Sequence, residues 1–118
     1  LASWKEIDQA LNCAKKQEHN WKNISVEERC ELLAEVAQTL REKRADQLGS
    51  MIADGGKLLM EADTEFSETI DFAEYYLRSL RQLTSYSDIA WTPKGTILVA
   101  PPWNFPNSIP GGGIFSAL

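Results

Sequence analysis

The sequence holds only two cysteines, Cys13 and Cys30, and a single histidine, His19. Two thiols are too few for a disulfide-stapled secreted scaffold, and no Cys-x-x-Cys pair or Cys/His cluster offers a metal site, so no metal is expected. His19 has no cysteine, histidine or carboxylate partner at ligand spacing and is read as part of a polar interhelical loop. No apolar run approaches the ~20 residues of a membrane-spanning helix. The opening LASWKEIDQA also lacks the charged-then-apolar order of a signal peptide. A cytoplasmic chain with no membrane partner is therefore expected. Basic charge is scarce as well: 12 Lys and Arg against 17 Asp and Glu leave a formal charge of -5. A polyanion would meet net repulsion, which excludes nucleic acid as an expected partner. Nor is there a Gly-x-Gly-x-x-Gly or Walker pattern to cradle a phosphate.

What remains is ordinary globular material. Hydrophobic residues at 43% and charged residues at 25% of 118 positions suffice for one modest core and argue against disorder. Trp4, Ile7, Leu11 and Ala14 recur at three- and four-residue steps, which predicts a first helix of about four turns with Trp4 in the core. HNWKNIS breaks that pattern. Ser25 followed by Glu28 has the spacing of a capping box, so a second helix is expected there, burying Cys30, Leu33, Val36, Ala37 and Leu40. A third, shorter helix carries Leu48, Met51 and Ile52 and stops at Gly55-Gly56. Leu59, Ala62, Phe66, Ile70, Ala73, Leu77 and Leu80 keep helical spacing almost unbroken and mark the longest helix, from Leu58 to about Leu83.

Beyond an irregular SYSDIAWTPKG segment, Gly95 leads into TILVA, an apolar, β-rich run that reads as a buried strand ending at Pro101-Pro102. Pro106 is placed to open a last helix, with Gly111, Gly112 and Gly113 inside it for close packing. One buried strand after four helices has nothing to pair with. The expected unit is thus a fragment of an α/β parent, mostly helical with one strand near its C-terminal end: residues 1–94 a helical region, residues 95–118 the truncated start of an α/β cofactor domain. Such a strand also predicts self-association, and a homo-oligomer is expected. The environments of Trp21 and Trp91 stay open.

Chemistry concentrates at VAPPWNFPN, where prolines fix an aromatic, an amide and a second aromatic at a helix start. Asn104 carries an N–H donor suited to an oxygen that becomes anionic. Capping the helix that follows is the commoner use of such a residue.

GTILVAPPWNFPNSIPGGGIFSAL resembles the start of the cofactor domain in the aldehyde dehydrogenase superfamily, in which Pro-Trp-Asn-Phe-Pro, here Pro102 to Pro106, is a hallmark. The likeness extends upstream through WKNISVEERCELLAEVAQTLREKR, DGGK and EADTEFSETIDFAEYY. Within the superfamily these segments look most like the L-glutamate gamma-semialdehyde (1-pyrroline-5-carboxylate) dehydrogenases, including those of bifunctional proline-catabolic proteins. The resemblance implies NAD-dependent oxidation of a small aldehyde by an enzyme cysteine, with water then activated by a glutamate. It assigns Asn104 as the catalytic oxyanion amide, Pro101, Pro102 and Trp103 to the bound NAD, and Glu68 and Phe105 to the substrate. Cys13 and Cys30 match no catalytic position, so the segment alone is expected to be inactive. Another aldehyde dehydrogenase is the alternative within enzymes. A helical interaction module that adds TILVA to a partner sheet is the alternative outside them.

Overall fold

The computed structural model describes residues 1–118. It contains five helices: α1 (Trp4–Lys22), α2 (Val26–Glu42), α3 (Arg44–Gly55), α4 (Leu59–Thr84) and α5 (Ser108–Ala117). α4 is the axis of the molecule, because α2, α3 and α5 all pack on it. The core follows the expected stripes: Cys30, Leu33 and Ala37 of α2 and Met51 of α3 meet Ala62, Phe66, Ile70, Ala73 and Leu77 of α4, with Phe115 of α5 closing the end. Leu59, placed on the same stripe by its spacing, is instead 61% exposed at the first turn of α4.

The helix boundaries have local causes. Glu28 Oε2 accepts from the Ser25 hydroxyl at 2.7 Å and the Ser25 amide at 2.8 Å, while Ser25 Oγ accepts from the Glu28 amide at 3.2 Å. These bonds, the hydroxyl's foremost, hold the Glu28 carboxyl below the usual carboxylate range. Ser3 and Glu6 form a second such box at the head of α1, with the same Ser-x-x-Glu spacing as Ser25 and Glu28. α3 ends because Gly56 adopts φ 66°, which lets its amide reach Ile52 O and the Lys57 amide reach Met51 O. Arg44 ties α3 to α4 by donating to Asp63 Oδ1 through Nε at 3.0 Å and Nη2 at 2.6 Å, and through Nη2 to Ser67 Oγ at 2.8 Å.

Four expectations are corrected. TILVA is not a strand: residues 96–100 have no strand conformation, Ile97 and Leu98 are 49% and 87% exposed, and residues 90–106 make no backbone–backbone hydrogen bond. The physical reason is the one that makes the run conspicuous, since a strand needs a neighbour and the chain supplies none. α1 forms, extends through His19 to Lys22, and buries no residue; Trp4 is 82% exposed and outside the core. His19 therefore sits in a helical last turn, 3.1 Å from Asn23 Nδ2, and not in a loop. α5 opens at Ser108, two residues after Pro106, which places Pro110 in its first turn, where no amide hydrogen is required.

The Gly-Gly-Gly run explains how so poor a helix former is held. A Cβ on Gly111 would lie 2.8 Å from Thr69 Cγ2, one on Gly112 3.0 Å from Phe72 Cδ2, and one on Gly113 2.6 Å from Val99 Cγ1. Glycine is thus the condition for α5 to lie flat on α4 and for Val99 to pin the preceding segment on α5. Tertiary packing overrides the weak helix propensity. No helix is long and apolar enough to cross a membrane.

Candidate functional site

The close approach of α5 to α4 delivers the Pro-Trp-Asn-Phe-Pro turn onto the N-terminal half of α4. There a cleft of about 670 Å³ is lined by Trp103, Asn104 and Phe105 from the turn, Glu65 and Glu68 from α4, and Lys57 from the α3–α4 connection, among others. Pro101 and Pro102 lie outside it, exposed on the approach to the turn. Asn104, Phe105, Trp103 and Glu68, candidates from two separate segments of the sequence, are in this way brought to one place. The glycine run closes the distance along the chain from Glu68 to Asn104.

Asn104 is exposed, and its side chain makes no hydrogen bond within the chain. The capping alternative is accordingly not the arrangement found. α5 has no cap from its own N-terminal residue; Glu65 of α4 performs that task, its Oε1 accepting from the Asn107 amide at 2.8 Å and the Ser108 amide at 3.1 Å. A carboxylate at a helix N-terminus satisfies orphan amides and opposes the positive end of the dipole, worth up to ~2 kcal/mol where partly buried.

Glu65 is 3% exposed, the one charged residue buried in the chain. Its Oε2 pairs with Lys57 Nζ, and that ammonium also lies over the Phe105 ring, 4.4 Å from the centroid. A carboxylate so deep requires such partners, because an unpaired buried charge costs several kcal/mol. Composition alone leaves Glu65 among the many surface acids, and it is the residue of the cleft that sequence reasoning misses. The signal that could have found it is its place between Ala62 and Thr69, on the buried face of α4. Glu68, one turn on, forms no ion pair and faces the cleft with its carboxylate free. Phe105 is 40% exposed, lines the cleft and carries the Lys57 ammonium over its ring face.

Neither thiol belongs to the site. Cys30 is 1% exposed and donates to Leu77 O at 3.4 Å, and burial pushes its thiol pKa up, against a smaller opposing effect of Arg81. Cys13 is exposed on α1. Brief treatment of the folded protein with iodoacetamide is expected to label Cys13 at least about tenfold faster than Cys30, because the thiolate is the reacting form. Peptide mass spectrometry reads the difference, and equal labelling would contradict a buried Cys30. No cluster of His, Cys, Asp and Glu suited to a metal ion is present.

Trp21 is half-buried and carries the Arg29 guanidinium 4.7 Å above its ring, while Arg29 also donates to the Trp21 and Leu118 carbonyls. Burial lowers the Arg29 pKa. Trp91 is 52% exposed and Trp103 89%.

The family model described as "Aldehyde dehydrogenase family" matches residues 1–118. A 1-pyrroline-5-carboxylate dehydrogenase of Bacillus pumilus is 33% identical over 121 aligned positions, covering 94% of this chain and 24% of the relative. "1-pyrroline-5-carboxylate dehydrogenase 2" of Bacillus subtilis is 32% identical with the same coverage. A further 1-pyrroline-5-carboxylate dehydrogenase, from Staphylococcus saprophyticus, is 33% identical, again over 94% of this chain and 24% of the relative. The chain spans about a quarter of the length of these relatives. No solved structure matches. A match along the whole chain, carried through the turn that bears Asn104 and the helix that bears Glu68, has one consequence: the chain belongs to the aldehyde dehydrogenase family.

Proposed function

We propose that this chain is the N-terminal portion of an NAD-dependent dehydrogenase that oxidises L-glutamate gamma-semialdehyde to glutamate in proline catabolism, and that it is inactive alone. The observation that carries the reading is the cleft itself: Asn104, with its amide uncommitted, shares one cavity with the free Glu68 carboxylate and the Phe105 ring. The aldehyde, the methylene chain and the ammonium of this amino-acid aldehyde call on those three kinds of group. The carbonyl oxygen needs a donor where negative charge develops, the aliphatic chain an apolar wall, and the ammonium a carboxylate. Asn104 supplies the donor, Phe105 the wall and Glu68 the carboxylate. The cysteine nucleophile and the water-activating glutamate of the family lie outside this chain.

The residues assigned to the dinucleotide fit such a ligand. Pro101 and Pro102 have no amide hydrogen and lie in a segment whose carbonyls accept no backbone hydrogen bond, which leaves acceptors for ribose hydroxyls, and Trp103 offers an exposed aromatic face. When bound, NAD accepts the hydride. The backbone here orients it and Asn104 holds the aldehyde oxygen. In the parent, the subunits are proposed to associate as a homo-oligomer in the cytoplasm.

The reading is tested by steady-state kinetics on the full-length enzyme, comparing glutamate semialdehyde with an aliphatic aldehyde of equal chain length. The semialdehyde is expected to have the higher kcat/KM by at least about tenfold, because a free carboxylate in the site is left unpaired by the plain aldehyde. Equal values would move the assignment to a different aldehyde dehydrogenase.

A further inference from the structure

Asn104 lies in a segment with little to hold it. Residues 90–106 make no backbone–backbone hydrogen bond, Trp103 is almost wholly exposed, and the Asn104 side chain is unbonded. An oxyanion donor must nevertheless be held still, since stabilisation of developing charge depends on donors oriented before the reaction. The structure provides fixed points immediately after Asn104, and all of them converge on one side chain. Glu65 Oε1 takes the amides of Asn107 and Ser108 at 2.8 and 3.1 Å, and Glu65 Oε2 holds Lys57, whose ammonium lies over the ring of Phe105.

We propose that Glu65 is a positioning residue for Asn104, its buried carboxylate fixing the turn on both sides of Pro106, through the α5 amides on one side and through Lys57 on Phe105 on the other. The inference rests on the reading of Asn104 as the oxyanion donor. Glu65 has no need to meet the substrate: both its oxygens are engaged, and at 3% exposure it forms the floor of the cleft. Lys57 is the complementary arm. Its stem emerges from the left-handed Gly56 that ends α3, so the α3 stop directs the ammonium to Glu65. The clamp acts on placement and adds no charge to the reacting centre, because Lys57 and Glu65 neutralise each other.

The test is a double-mutant comparison in the full-length enzyme. Glu65→Gln keeps an oxygen for the α5 amides and removes the charge that holds Lys57; Lys57→Met keeps the amide bonds and removes the ammonium. Each is expected to lower kcat ~10- to 10²-fold in the native background, the cost of a sub-ångström to ångström misplacement, with KM for NAD changed less than about twofold. In an Asn104→Ala background the same substitutions are expected to lower kcat less than about twofold, because a residue acting through Asn104 has nothing left to position. A merely structural role removes active enzyme equally in both backgrounds, so equal fold-losses, or an unchanged kcat in the native background, would overturn the proposal. If Glu65→Gln does not accumulate as folded protein, Lys57→Met decides by the same comparison. Asn104→Ala without effect on kcat would overturn the oxyanion reading instead, which separates failure of the assignment from failure of the clamp.

Discussion

Asn104→Ala in the full-length enzyme is expected to lower kcat by ~10²- to 10³-fold, the loss typical of removing one oxyanion donor. The effect should fall on turnover alone. Asn104 is exposed and makes no hydrogen bond within the chain, so its truncation leaves no buried group unpaired and opens no cavity in the core. Thermal stability is expected to stay within the range of ordinary surface substitutions, and NAD affinity, which the proposed function places on the backbone at Pro101 to Trp103, to stay near that of the unmodified enzyme. Asn104→Asp sharpens the point, because it conserves shape while replacing the donor with a negative charge facing the developing alkoxide; it should be at least as damaging as alanine. Steady-state kinetics with calorimetric NAD titration distinguish these outcomes, and unchanged turnover would remove the role assigned to the amide.

Phe66→Ala is expected to cost ~3–5 kcal/mol of stability, the range for truncating a fully enclosed aromatic. Phe66 is 0% exposed at the centre of the α4 stripe and is overlain by Arg44, whose guanidinium lies 5.6 Å from the ring centroid while bonded to Asp63 and Ser67. Its loss removes aromatic burial and leaves the Arg44 anchor above a void, so α3 and α4 should loosen together. With urea m-values of ~1–3 kcal/mol/M, the unfolding midpoint of this region should fall by at least ~1 M. A midpoint shift under about 0.3 M would show that the site collapses around the cavity. By contrast, Arg41–Glu74 and Arg81–Glu27 join α4 to α2 at the rim through partly exposed side chains, and such pairs are worth only ~0–1 kcal/mol each.

The family and the site differ in how each could be known from the chain alone. Pro102 to Pro106 points to the aldehyde dehydrogenases because five consecutive constrained residues are specific, and the family match over residues 1–118 agrees. That same segment does not reveal whether Asn104 caps α5 or is free. The answer lies in Glu65, about forty positions upstream, whose bonds to Asn107 and Ser108 make a cap from Asn104 unnecessary. Nothing local marks Glu65 itself, because a glutamate on a helix is normally solvated, and only the arrival of Lys57 and the α5 amides makes its burial tolerable.

Periodicity and capping are local: side chains three and four residues apart meet on any helix, and a serine reaches its own third residue wherever it stands. For that reason α2, α3 and α4, the Ser25 cap and the Gly56 stop could be read directly from the chain. Pairing and burial are relations between distant segments. TILVA has the composition of a strand and no strand beside it, α1 has an apolar stripe and no face to bury it against, and α5 has poor helix formers and a groove that only glycine can enter. Backbone hydrogen bonds and apolar contacts need a second partner, and the identity of that partner is settled only when the chain has folded.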